Sequence, residues 1–180
     1  MPAPPPLDTP RLHLRPLVGD DVPFLLALLN DPDFIRFVGD RKVRDLAGAR
    51  RYLERGPWAS YEANGFGPWA VLRREGGPTL GICGIWRRES LDAPDLGYGF
   101  LPAGRGQGFA REAAVAVLAW ARGALGLRRI LAITTPDHQR SRRLLESLGM
   151  VQEGLVRLPG DDVDLCLYAT EPTRAASAPK

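Results

Sequence analysis

The sequence predicts an α/β fold, a single domain in which helices flank a mixed β-sheet. Strand-like and helix-like segments alternate along the chain in the order β-α-α-β-β-β-α-β-α-β-β, with no internal repeat and no second domain. The length of 180 residues, 44% of them hydrophobic, suits one domain with a sizeable core.

The N-terminal half begins with the alternating segment LHLRPLV, which predicts the first strand. An acidic start, an early proline and an apolar run predict a helix from about Asp20 to Asn30, which the segment NDPDF breaks. The apolar spacing of VRDLAGARRYLERG predicts a second helix that ends at Gly56. FGPWAVLRREGG and TLGICGIWRRE follow as two strands joined by a Gly-Gly turn, and DLGYGFLP is the next strand, which Pro102 ends.

The C-terminal half begins with a helix from about Gly108 to Arg122, whose apolar residues fall on one face. The nearly continuous apolar segment LRRILAIT predicts a strand buried on both faces. DHQRSRRLLESLGM predicts a short helix with Gly149 directly after its end. VQEGLVRL and VDLCLYAT predict a closing strand pair across the turn PGDD.

The stretch GRGQGFAREAA, which starts at Gly104, carries the strongest chemical signal of the chain. Glycine lets a ligand approach the backbone closely, and the first N–H groups of a helix lack internal partners and carry partial positive charge. Gly104, Gly106 and Gly108 therefore predict a diphosphate site, to which Arg105 adds a charge-assisted contact. The alternative is a turn that only caps the helix, for which one glycine is enough.

Two nucleotide-binding motifs do not fit this stretch. A P-loop requires Lys-Ser or Lys-Thr after its last glycine, and neither dipeptide occurs in the chain. A Rossmann fingerprint that starts at Gly104 requires a glycine where Phe109 stands, and an acidic residue about twenty positions further on, where Arg128 and Arg129 stand.

Together with its surroundings, the glycine stretch resembles a known family. RGQGFA, from Arg105 to Ala110, is similar to the (Q/R)xxGx(G/A) signature of the GCN5-related N-acetyltransferases (GNAT). The whole chain, from about Thr9 to Thr170, resembles the branch that includes ribosomal-protein N-terminal (alanine/serine) acetyltransferases. Five blocks match that branch in the same order: TPRLHLRPL, LLNDPDFIRFVG, DLGYGFLPAGRGQGFAREA, PDHQRSRRLLESLGMVQEG and VDLCLYAT.

The resemblance implies the GNAT fold for the domain. That fold is a central, mostly antiparallel sheet of about seven strands, splayed between strands 4 and 5 and flanked by about four helices. The domain is expected to span residues 9–170, between a disordered leader at residues 1–8 and a flexible tail at residues 171–180.

The resemblance also implies that acetyl-CoA is the cosubstrate. No metal is expected, because the chain has only two histidines and no CxxC spacing. In the family, pantetheine lies in the splay and pairs with the edge of the fourth strand, which maps onto Phe100 and Leu101. The pyrophosphate takes N–H groups from the loop, which maps onto Arg105, Gly106, Gln107, Gly108, Phe109 and Ala110.

Three residues are candidates for the chemistry, a direct transfer of acetyl from sulfur to an amine in a ternary complex. Asp95 is the candidate base where the branch often has a glutamate, and the alternative is an exposed residue at the strand entry. Ser141 aligns with a serine near the CoA sulfur, and the alternative is a helix-capping hydroxyl. His138 replaces the Asn that usually orients pantetheine, so it is expected to bind CoA or to titrate, with a solvated loop residue as the alternative.

Several other side chains near the splay have two interpretations. Arg140, Arg142 and Arg143 are candidates for the 3′-phosphate of CoA or form a solvated helix face. Tyr98 and Tyr168 are expected to be packing residues, with a phenol that donates a proton as the alternative.

The acceptor site is expected to form from the segment NDPDFIRFVG and the closing strand pair. Phe34, Phe37 and Trp86 are candidate substrate walls, and each is alternatively a core residue. The acceptor is expected to be a primary amine, either a protein N-terminus or a small molecule, because the family spans both and the fold does not choose between them. The alternative function is a catalytically silent CoA-binding module that senses or regulates.

Composition narrows the cellular setting and the partners. A net charge of +3 with scattered arginines does not indicate a nucleic-acid partner. The chain has no apolar run of membrane-spanning length and no secretory signal at its start, so a cytoplasmic location is expected.

Cys83 and Cys166 lie in apolar segments without CxxC spacing and are expected in the core. Edge strands near the C-terminus make a homodimer an open alternative.

Overall fold

A single mixed β-sheet forms the centre of the molecule in the computed structural model, which describes residues 3–170. Eight strands of these residues join the sheet, one more than the approximate number expected. They are β1 (Leu7–Asp8), β2 (Leu12–Pro16), β3 (Pro68–Arg73), β4 (Gly81–Trp86), β5 (Asp95–Phe100), β6 (Leu131–Thr134), β7 (Met150–Val156) and β8 (Leu165–Thr170).

The helices pack on the two faces of this sheet. Those in residues 3–170 are α1 (Val22–Leu29), α2 (Pro32–Val38), α3 (Leu46–Leu53), α4 (Ala59–Asn64), α5 (Phe109–Ala124) and α6 (Gln139–Ser147). One core lies between the sheet and α5 and α6, and a second lies between the sheet and α1, α2 and α3.

About four helices are expected from the sequence, whereas the described residues form six α-helices. The difference arises at two of the predicted helices. The segment NDPDF ends α1 as predicted but also starts α2, because Asp31 accepts a hydrogen bond from the Phe34 N–H and Pro32 occupies the first helical position. Gly56 does not end the second helix. It lies inside a π-helical turn, Glu54–Trp58, that continues α3 into α4.

The predicted leader also differs from the structure in its described part. Leu7–Asp8 pair with β2 as the short strand β1, and the Trp69 indole N–H donates to the Pro5 carbonyl at 2.8 Å. These contacts hold the segment before Thr9 in place, because the Pro5 carbonyl and the edge of β2 both have hydrogen-bond partners there. The predicted tail, residues 171–180, lies outside the described residues.

The splay of the sheet lies between β5 and β6, which correspond to strands 4 and 5 of the expected fold because β1 adds one strand. All other neighbouring strands are antiparallel, and these two are parallel, joined across α5. Within the described chain they have one register pair, Asp95 opposite Leu131. Beyond this pair, the edge of β5 that faces β6 has no strand partner among the described residues, and at its far end the Phe100 carbonyl accepts a hydrogen bond from the Arg105 side chain.

Both cysteines lie in the core as predicted, since Cys83 and Cys166 are buried and unpaired. Across residues 3–170, every helix is too short or too polar to cross a bilayer. The same residues contain no group of His, Cys, Asp or Glu side chains arranged to hold a metal ion.

Candidate active site

Two cavities meet along the open edge of β5. The first has a volume of about 690 Å³ and is lined by the glycine loop, the first turn of α5 and α6. The second has a volume of about 550 Å³ and is lined by α2, β4, β5, β6 and the loop between β7 and β8. A group that passes from a ligand in one cavity to a ligand in the other must cross their shared wall, which consists of Phe34, Phe37, Val38, Tyr98, His138 and Ser141.

The three glycines of the loop before α5 serve two different purposes. Gly106 and Gly108 have left-handed backbones, with φ of 73° and 78°, which other residues rarely adopt. A Cβ on Gly106 would meet no atom within 4 Å, so this side of the loop is open. A Cβ on Gly104 would lie 2.9 Å from the Phe100 ring and 3.1 Å from Leu80 Cβ. Packing therefore excludes a side chain at Gly104, whereas backbone conformation selects the other two glycines.

The first turn of α5 presents unpaired backbone N–H groups to the first cavity. Gly108 is the N-cap residue, and no side chain of the described chain caps this end of the helix. The N–H groups of Phe109, Ala110 and Arg111 have no acceptor within the helix, and all three residues line the cavity. Their partial positive charge favours phosphate oxygens.

Arg105 is held by the protein rather than aimed at a ligand. Its Nε donates to the Phe100 carbonyl at 2.8 Å, and its terminal nitrogens pair with Asp31 and, at 3.1 Å, with Asp33. Because Asp31 is also the N-cap of α2, Arg105 fastens the start of α2 to the glycine loop. The phosphate contact expected of this side chain would require these bonds to break, so its role here is to position α2.

Leu101 and Gln107 do not contribute side chains to the first cavity. The Leu101 N–H donates to the Leu80 carbonyl and its own carbonyl accepts from the Gly104 N–H, both at 2.9 Å. The N–H of Leu101 therefore has a partner within the fold, so only its carbonyl, which has a second lone pair, is left for the expected pairing with pantetheine. The Gln107 side chain turns away and accepts a hydrogen bond from Arg73 at 3.0 Å, which leaves only its backbone for a ligand.

A hydroxyl pair lies on the wall that the two cavities share. The Tyr98 phenol and Ser141 Oγ are 2.8 Å apart. Ser141 is buried in the first turn of α6. Burial raises the pKa of the Tyr98 phenol, so it keeps its proton at neutral pH. The sequence predicts a packing role for Tyr98, with a proton-donating phenol as the alternative, and the bond to Ser141 agrees with that alternative.

His138 and Phe37 join α6 to α2 across the site. Their rings stack with centroids 3.8 Å apart and an angle of 8° between the planes. His138 is half-buried, and burial lowers its pKa, so the imidazole is neutral at pH 7. His138 is thus packed against the shared wall rather than solvated in a loop.

Asp95 is buried at the start of β5 and lines the second cavity. The Arg88 Nε lies 3.1 Å and 3.0 Å from its two carboxylate oxygens. Burial raises the pKa of Asp95, and the charge of Arg88 opposes that change without cancelling it. The alternative of an exposed strand-entry residue is therefore wrong.

The aromatic residues predicted as acceptor walls lie where β5 has glycines. A Cβ on Gly97 would be 2.7 Å from Trp86 Nε1, and a Cβ on Gly99 would be 2.9 Å from the Phe34 ring. The GYG spacing thus makes room for both rings. Trp86 lines the second cavity, and Phe34 and Phe37 line both cavities.

The three arginines of α6 separate by helical position. Arg140 and Arg143 are three residues apart, share one face and line the first cavity. Arg142 lies elsewhere and donates to the Tyr168 hydroxyl and to the Pro136 carbonyl, both at 3.3 Å.

Comparisons with known proteins agree with this geometry. The family model described as an acetyltransferase (GNAT) domain matches residues 11–151. An uncharacterized N-acetyltransferase, YoaA of Bacillus subtilis, is 28% identical over 152 residues, which are 84% of this chain and 85% of that protein. An acetyltransferase from Agrobacterium tumefaciens has a similar structure, with a TM-score of 0.79, 27% identity and coverage of 94% of this chain and 95% of that one.

A further solved structure is that of the RimL ribosomal L7/L12 α-N-protein acetyltransferase in complex with coenzyme A. It has a TM-score of 0.78 at 19% identity and covers 92% of this chain and 97% of that one. At this identity the similarity concerns the fold. The predicted fold class, a mixed α/β GNAT fold, is confirmed by these structures and by the family model.

Proposed function

We propose that this chain transfers acetyl from acetyl-CoA to a primary amine by direct attack in a ternary complex. The chain belongs to the GNAT acetyltransferase family and is an acyl-CoA-dependent acetyltransferase. The observation that carries this proposal is the meeting of two cavities at a partly buried hydroxyl pair, Tyr98 and Ser141, beside the edge of β5 that faces β6. One cavity suits the cosubstrate, and the other suits the amine.

Acetyl-CoA is assigned to the first cavity. The backbone N–H groups from Gly106 to Arg111 would bind the pyrophosphate, because the loop is bare and the helix end attracts anions. Arg140 and Arg143 line the same cavity and are assigned to the 3′-phosphate. The free edge of β5 offers backbone groups to pantetheine, and a backbone N–H there would stabilise the oxyanion that forms during transfer.

The amine is assigned to the second cavity, with Asp95 as the base. An ammonium group has no lone pair for attack, and the reference pKa of an α-amino group is near 8, so only part of it is neutral at pH 7. Asp95 accepts the proton through a bridging water, and burial makes it a stronger base than an ordinary aspartate. The amine nitrogen then bonds to the acetyl carbon while the carbon–sulfur bond breaks, and the nitrogen releases its second proton to solvent.

The leaving thiolate is assigned a proton from Ser141. Ser141 Oγ donates toward the sulfur and recovers a proton from the Tyr98 phenol, with which it shares a hydrogen bond. The phenol is replenished from solvent after the products leave. His138, stacked on Phe37, closes the wall beside this pair.

Asp95→Asn is expected to lower kcat/KM about tenfold with an α-amine acceptor, because the base acts through water and contributes only part of the acceleration. The carboxylate works in its ionised form, so wild-type activity falls as pH drops through a pKa that burial has raised above the ordinary value. A pH profile of kcat/KM measures this, and the variant's acidic limb is expected to be less steep.

Asp92→Asn is the matched control, since Asp92 is an exposed carboxylate in the loop before β5, with its Oδ2 3.7 Å from Arg129 Nε. It should leave the profile unchanged. Equal profiles for wild type and Asp95→Asn would remove Asp95 from the chemistry.

The function itself is tested with calorimetry for CoA and with release of free CoA thiol from acetyl-CoA in the presence of single amines. N-terminal peptides, amino acids and polyamines form the panel, and mass spectrometry of the products identifies the acetylated nitrogen. Acetylation of at least one amine is expected. Tight CoA binding without thiol release from any amine would favour the silent sensor instead.

A further inference from the structure

The second cavity contains a group of hydrogen-bond donors that the proposed transfer does not use. Arg88 lines it from the loop after β4, Tyr52 from α3 and Arg41 from the loop after α2. Acetyl transfer needs a base and a route for the amine, but it needs no guanidinium groups in the acceptor cavity. These donors therefore point to a feature of the acceptor itself.

Only one of the three nitrogens of the Arg88 guanidinium group is hydrogen-bonded to Asp95. Its Nε donates to both carboxylate oxygens, at 3.1 Å and 3.0 Å. Its two terminal nitrogens have no hydrogen-bond acceptor among residues 3–170, and 32% of its side chain is exposed. A guanidinium group binds a carboxylate through two adjacent nitrogens, so this free end suits an anionic group of two oxygens.

Tyr52 adds a neutral donor beside Arg88. Burial raises the pKa of the Tyr52 phenol, while the charges of Arg41 and Arg88 act in the opposite direction. Both guanidinium groups line the same cavity as the phenol. Its hydroxyl has no partner within residues 3–170, although it lines the cavity. The phenol keeps its proton at neutral pH and can donate a hydrogen bond to an anion.

Charge and spacing narrow the anion further. The second cavity is lined by three arginines and four carboxylates, because Arg36, Asp40, Asp161 and Asp162 also face it, so its formal charge is slightly negative. A singly charged carboxylate therefore meets less repulsion beside Arg88 than a phosphate dianion would. Since Arg88 is bonded directly to Asp95, a group on the free end of Arg88 lies only a few ångströms from a group beside Asp95. The amine and the anion of the acceptor must therefore be separated by few bonds.

We propose that the acceptor is a small α-amino acid, whose carboxylate binds Arg88 and Tyr52 while its amine faces Asp95 and the shared wall. This inference rests on the proposed function and names the substrate class of the same site. The aromatic walls of Phe37 and Trp86 leave room for an apolar side chain in a cavity of about 550 Å³. A peptide lacks a carboxylate next to its terminal amine and is excluded by this arrangement.

The test compares phenylalanine, phenylalaninamide, phenethylamine and a peptide with N-terminal phenylalanine as acceptors at fixed acetyl-CoA. Phenylalanine is expected to have a kcat/KM at least about tenfold above the other three, which corresponds to about 1.4 kcal/mol. The comparison is stringent, because the α-amine of phenylalaninamide is less basic than that of phenylalanine and is more often neutral at pH 7. Without an anion site, phenylalaninamide would therefore be the better acceptor.

Arg88→Lys and Tyr52→Phe are the informative variants, because lysine still pairs with Asp95 but lacks the fork, and phenylalanine removes only a hydroxyl. Each is expected to raise KM for phenylalanine and to reduce its advantage over the amide several-fold, with CoA affinity unchanged. Arg87→Lys is the matched control, since Arg87 is exposed, bonds the Leu91 carbonyl and does not line the cavity.

The outcomes separate this inference from the function that it rests on. If the amide, phenethylamine or the peptide is acetylated as well as phenylalanine, the anion site is wrong and acetyl transfer stands. If Arg88→Lys keeps the full preference, Arg88 does not bind the carboxylate. If no amine releases thiol although CoA binds, both proposals are overturned.

Discussion

Gly108→Val is expected to weaken CoA binding at least about 100-fold in calorimetry, a change of about 2.7 kcal/mol. Gly108 is the N-cap residue of α5 with a φ of 78°, and no other side chain of the described chain caps the helix. A branched side chain disfavours this backbone and would stand where the phosphates approach the first N–H groups. The added Cβ would lie 3.4 Å from Arg11 Nη2, an ordinary contact, so the expected loss comes from the backbone and from the phosphate approach.

Gly126→Val is the matched control for backbone strain. Gly126 follows the other end of α5, has a φ of 65°, and a Cβ there would meet no atom within 4 Å. Both variants are expected to lose about 1–2 kcal/mol of unfolding free energy, measured with denaturant, because both force a side chain into a left-handed conformation. Only Gly108→Val should lose CoA. Unchanged affinity in that variant would move the cosubstrate away from the glycine loop.

Ser141→Ala is expected to lower kcat about 100-fold while leaving CoA affinity intact, because the leaving sulfur would depart without its proton donor. Tyr98→Phe should lower kcat by a similar factor. It removes the phenol that holds Ser141 Oγ at 2.8 Å and supplies its proton. Because the two hydroxyls act as a unit, the double variant should be little slower than either single variant. Steady-state kinetics with separated kcat and KM measure all three.

Tyr168→Phe controls for the loss of a buried phenol. The Tyr168 hydroxyl bonds Arg142 and Glu146 and lines neither cavity, so its removal should leave kcat near the wild-type value. Additive effects of Ser141→Ala and Tyr98→Phe would show that the hydroxyls act independently. A wild-type kcat in Ser141→Ala would show that the thiolate leaves without help from this serine.

The glycine loop shows how far local sequence reaches. Left-handed backbones at Gly106 and Gly108 are intrinsic to glycine, and the free N–H groups follow from the start of a helix, so this backbone geometry was predictable without any long-range contact. Gly104 had the same appearance in the sequence but has a different cause. Its Cβ would collide with Phe100 and Leu80, and that packing exists only in the folded chain.

Side-chain partners were not predictable, because long polar side chains find their partners in space. Arg105 was expected on a phosphate, yet it pairs with Asp31, which is 74 positions away in the chain. Asp95 was identified as a candidate base, but its burial and its bond to Arg88 depend on how the loop after β4 folds over the start of β5.

By itself, therefore, the sequence determined the α/β fold, the order of most elements, the family and the position of the bare loop at the start of α5. These depend on periodicity and backbone conformation, which are set within a few residues. Only the tertiary structure decided that Tyr98 meets Ser141 across 43 positions, that Phe37 stacks on His138, and that two cavities share this wall. The physical reason is that such contacts form only when separate helices and strands pack together. No local sequence pattern specifies which distant side chain a residue will contact.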